Sequence, residues 1–334
     1  MRGRVEAILI ALVLAGCGGS SSPATHITLA NLNFLHGIFC PAESASCRLE
    51  DRSELLAAWV RDAGCPDVVT LQEIFPPSVD LLESWAATVC PFPYDVVQGD
   101  VLLRVDDETV LSRYPILQAD QLRLFGDFRA VLHVQVDHPT GPVDVFSTHL
   151  ASGADGGRDR CDAIDCPVVC EEAGAETRRE CQAVQMAQWI EERHEGPNPA
   201  LVAGDFNARP GSFTYRQFTE RGWADAYLEA GLPECDPTTG IGCTAGREDG
   251  SLEGLDSPAL GESVRIDFIF VVPSLPGAGC SGRIEPAGDP DGDGARTALF
   301  ADAPNPFAPT CGPLPNPVCW PSDHVGVQVD LQCN

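Results

Sequence analysis

Several short segments of the chain end in side chains that can bind cations, orient water or exchange protons. In chain order they are Asn31-Leu32-Asn33, Gln72-Glu73, Thr148-His149, Gly204-Asp205-Phe206-Asn207, Arg265-Ile266-Asp267 and Ser322-Asp323-His324. Carboxylate and carboxamide oxygens suit hard cations, and imidazoles titrate near neutral pH. One such segment alone is typical of a solvated strand end or, for Gly-Asp-x-Asn, of an ordinary turn. Their repetition in this order indicates one assembled site.

The elements that must position these residues are short β-strands rich in branched apolar side chains. The run Ala200 to Ala203 directly precedes Gly204 and Asp205. Asp205 and Asn207 lie two positions apart, so an extended backbone points both side chains to the same side. One of them can then hold a cation or a water while the other donates a hydrogen bond.

Apolar spacing places further strands and helices along the chain. We predict helices over 49–63, 76–86 and 176–194, strands over 94–97, 101–105, 109–112, 116–125, 130–136, 264–270 and 325–331, and a long loop over 151–175. Groups of strands separated by helices indicate an α/β fold of two mostly antiparallel sheets, packed face to face and covered by helices.

Together with Ser112-Arg113-Tyr114-Pro115, the ordered segments resemble the endonuclease/exonuclease/phosphatase superfamily over residues 26 to 332. This group includes deoxyribonuclease I-like nucleases, abasic-site endonucleases, neutral sphingomyelinases and inositol-polyphosphate 5-phosphatases. The resemblance implies a four-layered α/β sandwich with its site at one end of the paired sheets. The chain departs from the family at Asn33, where some members have Asp, at Ala30, and in loops 153–181 and 273–321.

The resemblance also implies roles for individual residues. Mg²⁺ or Mn²⁺ would be held by Asn31, Glu73 and Asp323, an oxygen-only set. Asp205 would orient or deprotonate the attacking water, and Asn207 would donate to the phosphoryl oxygen.

The two imidazoles, His149 and His324, can act as acid, base or phosphate donor. Asp267 is expected to fix one of them by hydrogen bonding, and the sequence leaves open which one. Arg113 and Arg129 are candidate phosphate contacts, although Arg113 in Ser-Arg-Tyr-Pro is equally consistent with a structural role.

The first 25 residues resemble a bacterial lipoprotein leader followed by a tether. A basic start and the apolar run Ala7 to Leu14 precede Leu14-Ala15-Gly16-Cys17. Residues 1–16 would be a signal peptide, Cys17 the lipidated residue and 17–25 a flexible tether, leaving a single domain over 26–334. An ordinary secretory signal is the alternative. We therefore expect an exported protein anchored to the cell envelope at the outer membrane, periplasmic or surface-exposed.

Cysteine content agrees with export. Of the 15 Cys, setting aside Cys17 leaves 15 − 1 = 14, an even number. Neighbouring cysteines favour disulfides, with open connectivity, over a zinc site in the Cys-rich insertion at 153–181. Asp289, Asp291 and Asp293 resemble half of a calcium-binding loop, so a structural Ca²⁺ and a solvated acidic turn are both open.

The charge of −28 and the lack of any lysine disfavour a dedicated duplex-binding protein. The expected function is a divalent-metal-dependent phosphoester hydrolase, an endonuclease-like phosphodiesterase working outside the cytoplasm as a monomer. Its partners would be a nucleic acid, phospholipid or small phosphoester substrate and, through the lipid anchor, a membrane. A sphingomyelinase-like enzyme, a small-molecule phosphatase and a non-catalytic binding lipoprotein on the same fold are the alternatives.

Overall fold

Two six-stranded sheets form the centre of the fold in the computed structural model. The structure describes residues 26–35, 47–99, 107–126, 128–154, 156–194, 198–246, 263–272, 283–284 and 321–332. Its strands are β1 His26–Asn33, β2 Val68–Ile74, β3 Asp95–Gln98, β4 Asp107–Ser112, β5 Ile116–Arg123, β6 Ala130–Val136, β7 Val143–His149, β8 Ala200–Asp205, β9 Ala224–Asp225, β10 Asp267–Val272, β11 Arg283–Ile284 and β12 Val327–Gln332. The helices are α1 Leu49–Asp62, α2 Pro76–Ala86, α3 Cys161–Ile164, α4 Val168–Glu172, α5 Arg178–Arg193, α6 Phe213–Thr219 and α7 Ala226–Glu229.

Each sheet contains one parallel pair at its centre. Sheet A has the order β11-β12-β1-β2-β4-β3, and sheet B has the order β5-β6-β7-β8-β10-β9. The parallel pairs are β1–β2 and β7–β8, and the other described pairings are antiparallel. Parallel neighbours need a crossover, which α1 supplies in sheet A and the segment containing α5 supplies in sheet B. The carboxyl ends of β1 and β2, and those of β7 and β8, therefore lie at one edge of their sheet.

Three apolar layers hold the sheets and helices together. Leu29, Val145 and Leu201 belong to the layer between the two sheets. On the outer face of sheet A, the helix α1 buries Leu56, Trp59 and Val60, and on the outer face of sheet B, α5 and α6 pack against Phe146 and Phe270. Spacings of three and four residues place these helix side chains on one face. The four-layered sandwich and the mostly antiparallel sheets are confirmed.

Several local predictions need correction. Strand β10 begins at Asp267 and not at Val264 as predicted. Arg265 and Ile266 lie before the strand, and Val264 makes only an isolated bridge to Ala245. The expected loop over 151–175 contains the short helices α3 and α4. The expected strand over 101–105 lies outside the described residues.

Disulfide bonds account for the described cysteines. The bonds are Cys65–Cys90, Cys161–Cys166, Cys170–Cys181 and Cys235–Cys243, and Cys47 is also disulfide-bonded. The cysteines of the Cys-rich insertion are paired in disulfides, so none of them is a thiolate that could bind zinc. The alternative prediction of a zinc site there is wrong. Cys65–Cys90 joins residues 25 apart, a distance at which sequence proximity gives no hint.

Predictions for the start of the chain and for one internal loop fall outside the described residues. These are the signal peptide 1–16, the tether 17–25, lipidated Cys17 and the Ca²⁺ loop at Asp289, Asp291 and Asp293. In the part of the chain that is described, no helix has the length and apolar character to cross a bilayer.

Candidate active site

Three of the predicted catalytic residues form one row across sheet B. His149 on β7 pairs with Asp205 on β8, and Asp205 pairs with Asp267 on β10. Residues in register on adjacent strands project to the same face, here the face toward sheet A. A Cβ atom at Gly204 would lie 1.9 Å from the Thr148 carbonyl oxygen, so only glycine allows the strands this approach. His149 Nε2 lies 3.3 Å from Asp205 Oδ2.

His324 is the histidine that Asp267 serves. Its Nδ1 lies 2.9 and 3.1 Å from the two carboxylate oxygens of Asp267, and its Nε2 lies 3.8 Å from Asp205 Oδ2. Thr244 Oγ1 accepts the Asp267 backbone N–H at 3.1 Å. The hydroxyl of Ser322 accepts the His324 backbone N–H at 3.1 Å and donates to the Asn33 carbonyl. The loop before β12 thus carries His324 to the row on sheet B.

Asn207 combines turn geometry with a place at the site. Its backbone has φ of 50°, and its N–H donates to Asp205 Oδ1 at 2.8 Å. Its amide nitrogen donates to the Leu150 carbonyl at 2.9 Å and lies 3.3 Å from Asp205 Oδ2. The turn is therefore how the chain presents the carboxamide beside the carboxylate. We call His149, Asp205, Asn207, Asp267 and His324 the site cluster.

Arg129 fixes the ring of His149. The guanidinium Nη1 lies 2.7 Å from His149 Nδ1, and the arginine is 6 % exposed. Because a guanidinium can only donate, Nδ1 accepts from Arg129, and Nε2 faces Asp205 Oδ2 and the Asn207 amide nitrogen, which lies 3.0 Å away. Arg129 is thus brought to the site, but as the partner of His149.

Asn33 joins the two sheets beside the site cluster. Its amide nitrogen donates to Glu73 Oε1 at 2.9 Å and to Asp205 Oδ2 at 3.1 Å. Glu73 lies in a register shift of β2 with φ of 58°, a left-handed conformation that turns its side chain from the regular alternation of the strand. Its carboxylate is 20 % exposed and lies 4.0 Å from His149 Nδ1. A neutral residue at position 33 therefore separates two carboxylates.

The predicted metal ligands differ in what they can offer a cation. Glu73 presents a partly exposed carboxylate, and Asp323 is half-buried next to His324. Asn31 is fully buried, and its amide oxygen already accepts from Thr70 Oγ1 at 2.8 Å and from Gln72 Nε2 at 2.9 Å. Asn31 cannot offer that oxygen to a cation without losing one of these bonds, so its placement argues against direct ligation.

A second set of possible ligand atoms comes from Asp205, Asp267 and His324, which lie within 4.8 Å of one another. Two of these groups already bond each other, since His324 Nδ1 faces Asp267. A nitrogen ligand and an ion pair suit Mg²⁺ less well than carboxylate oxygens do. Carboxylate oxygens such as those of Glu73 and Asp323 are therefore the better candidates for a hard cation.

Burial and charge push the proton affinities of the site apart. Burial raises the pKa of Asp267 to about 6, helped by the charge of Asp205 and opposed by His324. Burial also disfavours the charged form of Asp205, but interactions with His149 and His324 and the Asn207 N–H outweigh it and lower its pKa. Burial alone would lower the pKa of His324, yet Asp267, Asp323 and Asp205 raise it well above its usual range. Two carboxylates side by side thus differ in proton affinity, a pattern of catalytic sites.

A family model described as "Endonuclease/Exonuclease/phosphatase family" matches residues 29–324. The chain belongs to this family. No curated protein matches it significantly.

Solved structures of the same fold span nearly the whole chain. A family protein from Bacteroides thetaiotaomicron has a TM-score of 0.61 at 17% identity and covers 94% of this chain and 99% of its own. A mannosyl-6-phosphatase from the same organism has a TM-score of 0.59 at 19% identity, covering 91% and 99%. TDP2 from D. rerio, complexed with a single-strand DNA product, has a TM-score of 0.56 at 17% identity, covering 92% and 99%. These likenesses establish the fold.

Arg113, one of the two candidate phosphate contacts, lies away from the site cluster. Arg113 Nη1 binds Asp67 Oδ1 at 3.1 Å, and its guanidinium stacks on Phe92 with 4.3 Å to the ring centroid. Asp67 precedes β2, whereas Glu73 lies near the other end of that strand. The separation along the strand is about 20 Å. The structure therefore gives Arg113 the structural role and removes it from the site.

Sequence reasoning missed some residues that shape the site of this family member. Asn33 was named only as a departure from the family, and its bonds to Glu73 and Asp205 were not predicted. Glu108 is buried and accepts the His149 backbone N–H at 3.1 Å, and no motif marked it. Ser322 and Thr244 act through backbone groups, which leave no trace in a pattern of side chains.

Proposed function

We propose that this chain is a phosphoester hydrolase that depends on Mg²⁺ or Mn²⁺ and cleaves phosphodiesters in the manner of an endonuclease. The observation that carries the proposal is the row on sheet B with its two carboxylates of opposite pKa shift, Asp205 and Asp267. One carboxylate stays charged beside a protonated His324 held by the other. Such a set orients water and donates to a phosphate at the same time.

In the proposed reaction, Asp205 accepts a hydrogen bond from the attacking water and aligns it with phosphorus. A carboxylate with a lowered pKa takes a proton weakly, so orientation is its main contribution. His324 Nε2, 3.8 Å from Asp205, and the Asn207 amide donate to the phosphoryl oxygens as negative charge grows. A divalent cation, when bound, supplies charge neutralisation for the phosphate and the leaving oxygen. Glu73 and Asp323 would hold it.

The solved relatives agree with phosphoester chemistry without choosing a substrate. One is described with a single-strand DNA product and another as a mannosyl-6-phosphatase. A small phosphomonoester or phospholipid is the second candidate substrate. It is favoured by the placement of Arg113 away from the site and by a charge of −28 with no lysine, which weaken the grip on a polyanion.

The test is turnover by the purified chain of residues 26–334 with bis-p-nitrophenyl phosphate, p-nitrophenyl phosphate, plasmid DNA and sphingomyelin. Each reaction is run with Mg²⁺, with Mn²⁺ and with EDTA. We expect metal-dependent cleavage, lost in Asn207→Ala. If the folded protein turns over none of the four substrates, the proposed hydrolase activity is refuted and a non-catalytic binding protein remains. A steep fall of affinity with salt would favour nucleic acid, because phosphate contacts release counterions.

We also propose that the protein is exported, anchored through Cys17 to the outer membrane and monomeric. The basic start, the short apolar run and the small residues before Cys17 support this, as do the disulfides. Palmitate labelling of wild type and Cys17→Ser, followed by membrane fractionation, tests the anchor. Equal labelling of the two would overturn it. Light scattering of the purified domain tests the monomer.

A further inference from the structure

A buried arginine lies beneath the site and is not part of the site cluster. Arg52, on α1, is 0 % exposed although it carries a charge. Its Nε donates to the Cys47 carbonyl at 2.8 Å, and its Nη2 donates to the Leu35 carbonyl at 2.8 Å. Its Nη1 donates to the carbonyls of Phe34 at 2.6 Å and of Pro321 at 2.8 Å. One guanidinium thus binds the backbone of three separate segments.

Two of these segments carry the opposite halves of the site. Phe34 and Leu35 follow Asn33 directly, and Asn33 holds Glu73 and Asp205. Pro321 precedes the loop that carries Asp323 and His324. The guanidinium therefore bonds backbone carbonyls next to both halves of the site.

The energetics argue against a role in stability alone. Burial lowers the pKa of Arg52 to about 10, against the attraction of Asp323 and Glu73. A buried charge is costly, and a well-packed apolar side chain in such a place is often at least as stable. What the guanidinium adds is a planar fork of donors with fixed directions, together with a positive charge near two carboxylates.

We infer that Arg52 is a positioning residue for the proposed phosphoester hydrolysis, on which this role rests. Its fork holds the end of β1 and the loop before β12 at a fixed distance, so that Glu73 and His324 address the same phosphate. Its positive charge attracts the carboxylates of both Asp323 and Glu73. It does not contact the substrate.

The first test compares Arg52→Lys with the matched control Arg61→Lys, an exposed position in the last turn of the same helix. Lysine keeps the charge but has no planar fork. We expect Arg52→Lys to lower kcat by about tenfold to a hundredfold with KM within about threefold, and Arg61→Lys to behave as wild type. An Arg52→Lys protein with kcat within about twofold of wild type would overturn the role.

The second test needs no turnover. Hydrogen exchange should rise in Arg52→Lys at residues 32–35 and 321–326, where the amides of His324 and Val325 bond Ser322 Oγ and Thr244 O. The protection of the β7 and β8 amides against hydrogen exchange should not change. Unchanged exchange in both segments, or an equal rise everywhere, would contradict a positioning role. If the wild type shows no turnover, the proposed function is refuted. The hydrogen-exchange result is unaffected, because exchange is measured without substrate.

A third variant separates the missing group from a folding defect. Arg52→Ala leaves a cavity of guanidinium shape, and added millimolar guanidinium should restore part of kcat in this variant but not in Arg61→Ala. Folded Arg52→Ala that shows no gain would count against the inference. If Arg52→Ala does not fold, the kinetics and exchange of Arg52→Lys decide.

Discussion

Sheet B and the end of α5 carry a second group of histidines and carboxylates, which we call the far cluster: Asp120, His133, Asp144 and His194. His133 lies between Asp120 and Asp144, with 2.9 Å to each, and His194 Nδ1 lies 3.6 Å from Asp144. Asp144 and His149 share strand β7 but are five residues apart, about 17 Å, and on opposite faces of the sheet. Histidines and carboxylates are thus grouped twice in the molecule, and strand β7 contributes one residue to each group.

The two clusters differ in the pKa values of their carboxylates and in the aromatic side chains packed against them. Burial opposes ionisation of Asp144, but hydrogen bonds from His133 and Gln135 and the nearby His194 lower its pKa, so its charge is fixed in the neutral range. Phe146 stacks on His133 at 4.5 Å between ring centroids, and Trp189 of α5 packs against its edge. In the site cluster, the pKa values of Asp205 and Asp267 are shifted in opposite directions. Opposed proton affinities, more than residue types, distinguish a reactive cluster from a structural one.

The largest expected effect on activity is that of His324→Ala, for which His133→Ala is the matched control. Loss of His324 should lower kcat by about 10²–10⁴-fold. Its stability loss should stay near about 1 kcal/mol, because Asp267 can take up a proton. Loss of His133 should leave kcat near wild type but cost about 3–5 kcal/mol, because it strips a buried carboxylate of its partner. Kinetics and urea unfolding measure both, and the reverse pattern would break the distinction between the clusters.

The second prediction concerns pH. The pKa of Asp267 is raised to about 6, so below that pH it gains a proton and loses its charge-assisted bond to His324. We expect kcat/KM to fall as pH drops through about 6, approaching about tenfold per unit. Asp267→Asn should remove this acid limb along with most activity, whereas Asp144→Asn should keep it. An acid limb that shifts in Asp144→Asn would show that the far cluster takes part.

The third prediction uses Asn33→Asp to place a third carboxylate at the site. Asn33 lies 2.9 Å from Glu73 and 3.1 Å from Asp205, so the added charge should repel both and attract a cation. The rise in Tm on adding Mg²⁺ should exceed that of wild type by about 3 °C, as tenfold tighter binding adds about 1.4 kcal/mol. Asn198→Asp, just before β8 at the other end of the sheet, is the control. Equal Mg²⁺ responses in both variants would argue against a cation at Glu73.

The smallest effect belongs to Arg113→Met. Its ion pair with Asp67 is 44% exposed on the arginine side, so its loss should cost at most about 1 kcal/mol. Its distance from the site predicts kcat/KM within about twofold of wild type, against a loss of about tenfold or more in Arg129→Met, which frees the ring of His149. Comparable losses in both variants would return Arg113 to the site.

The sequence predicted most of the features that depend on strand ends. Asp205, His149 and Asp267 were found because polar residues behind apolar runs leave a readable signal, and their row across sheet B is the physical result of strand register. The layers were equally accessible, since α1 and α5 have clear helical spacing. Motif order carried the remaining information.

Contacts that depend on three-dimensional proximity escaped prediction. Arg52 sits in a helix where charged residues are ordinarily solvated, and its burial appears only once residues 34, 35 and 321 surround it. Asn31 looked like a ligand because its type fits, but Thr70 and Gln72 occupy its oxygen. Arg113 belonged to a true motif whose role is packing. In each case the type of residue was right and its neighbours decided the role.

The pairing of the first strand with the last has a consequence for the order of events during synthesis. His26 lies opposite Gln332 in the β1–β12 ladder, and Ser322 bonds the carbonyl of Asn33 across 289 residues of chain. A ribosome makes Asn33 long before His324. Any fragment that ends before residue 322 therefore lacks both His324 and the strand that covers one side of β1. Assembly of the site cluster has to wait until residue 324 has been made.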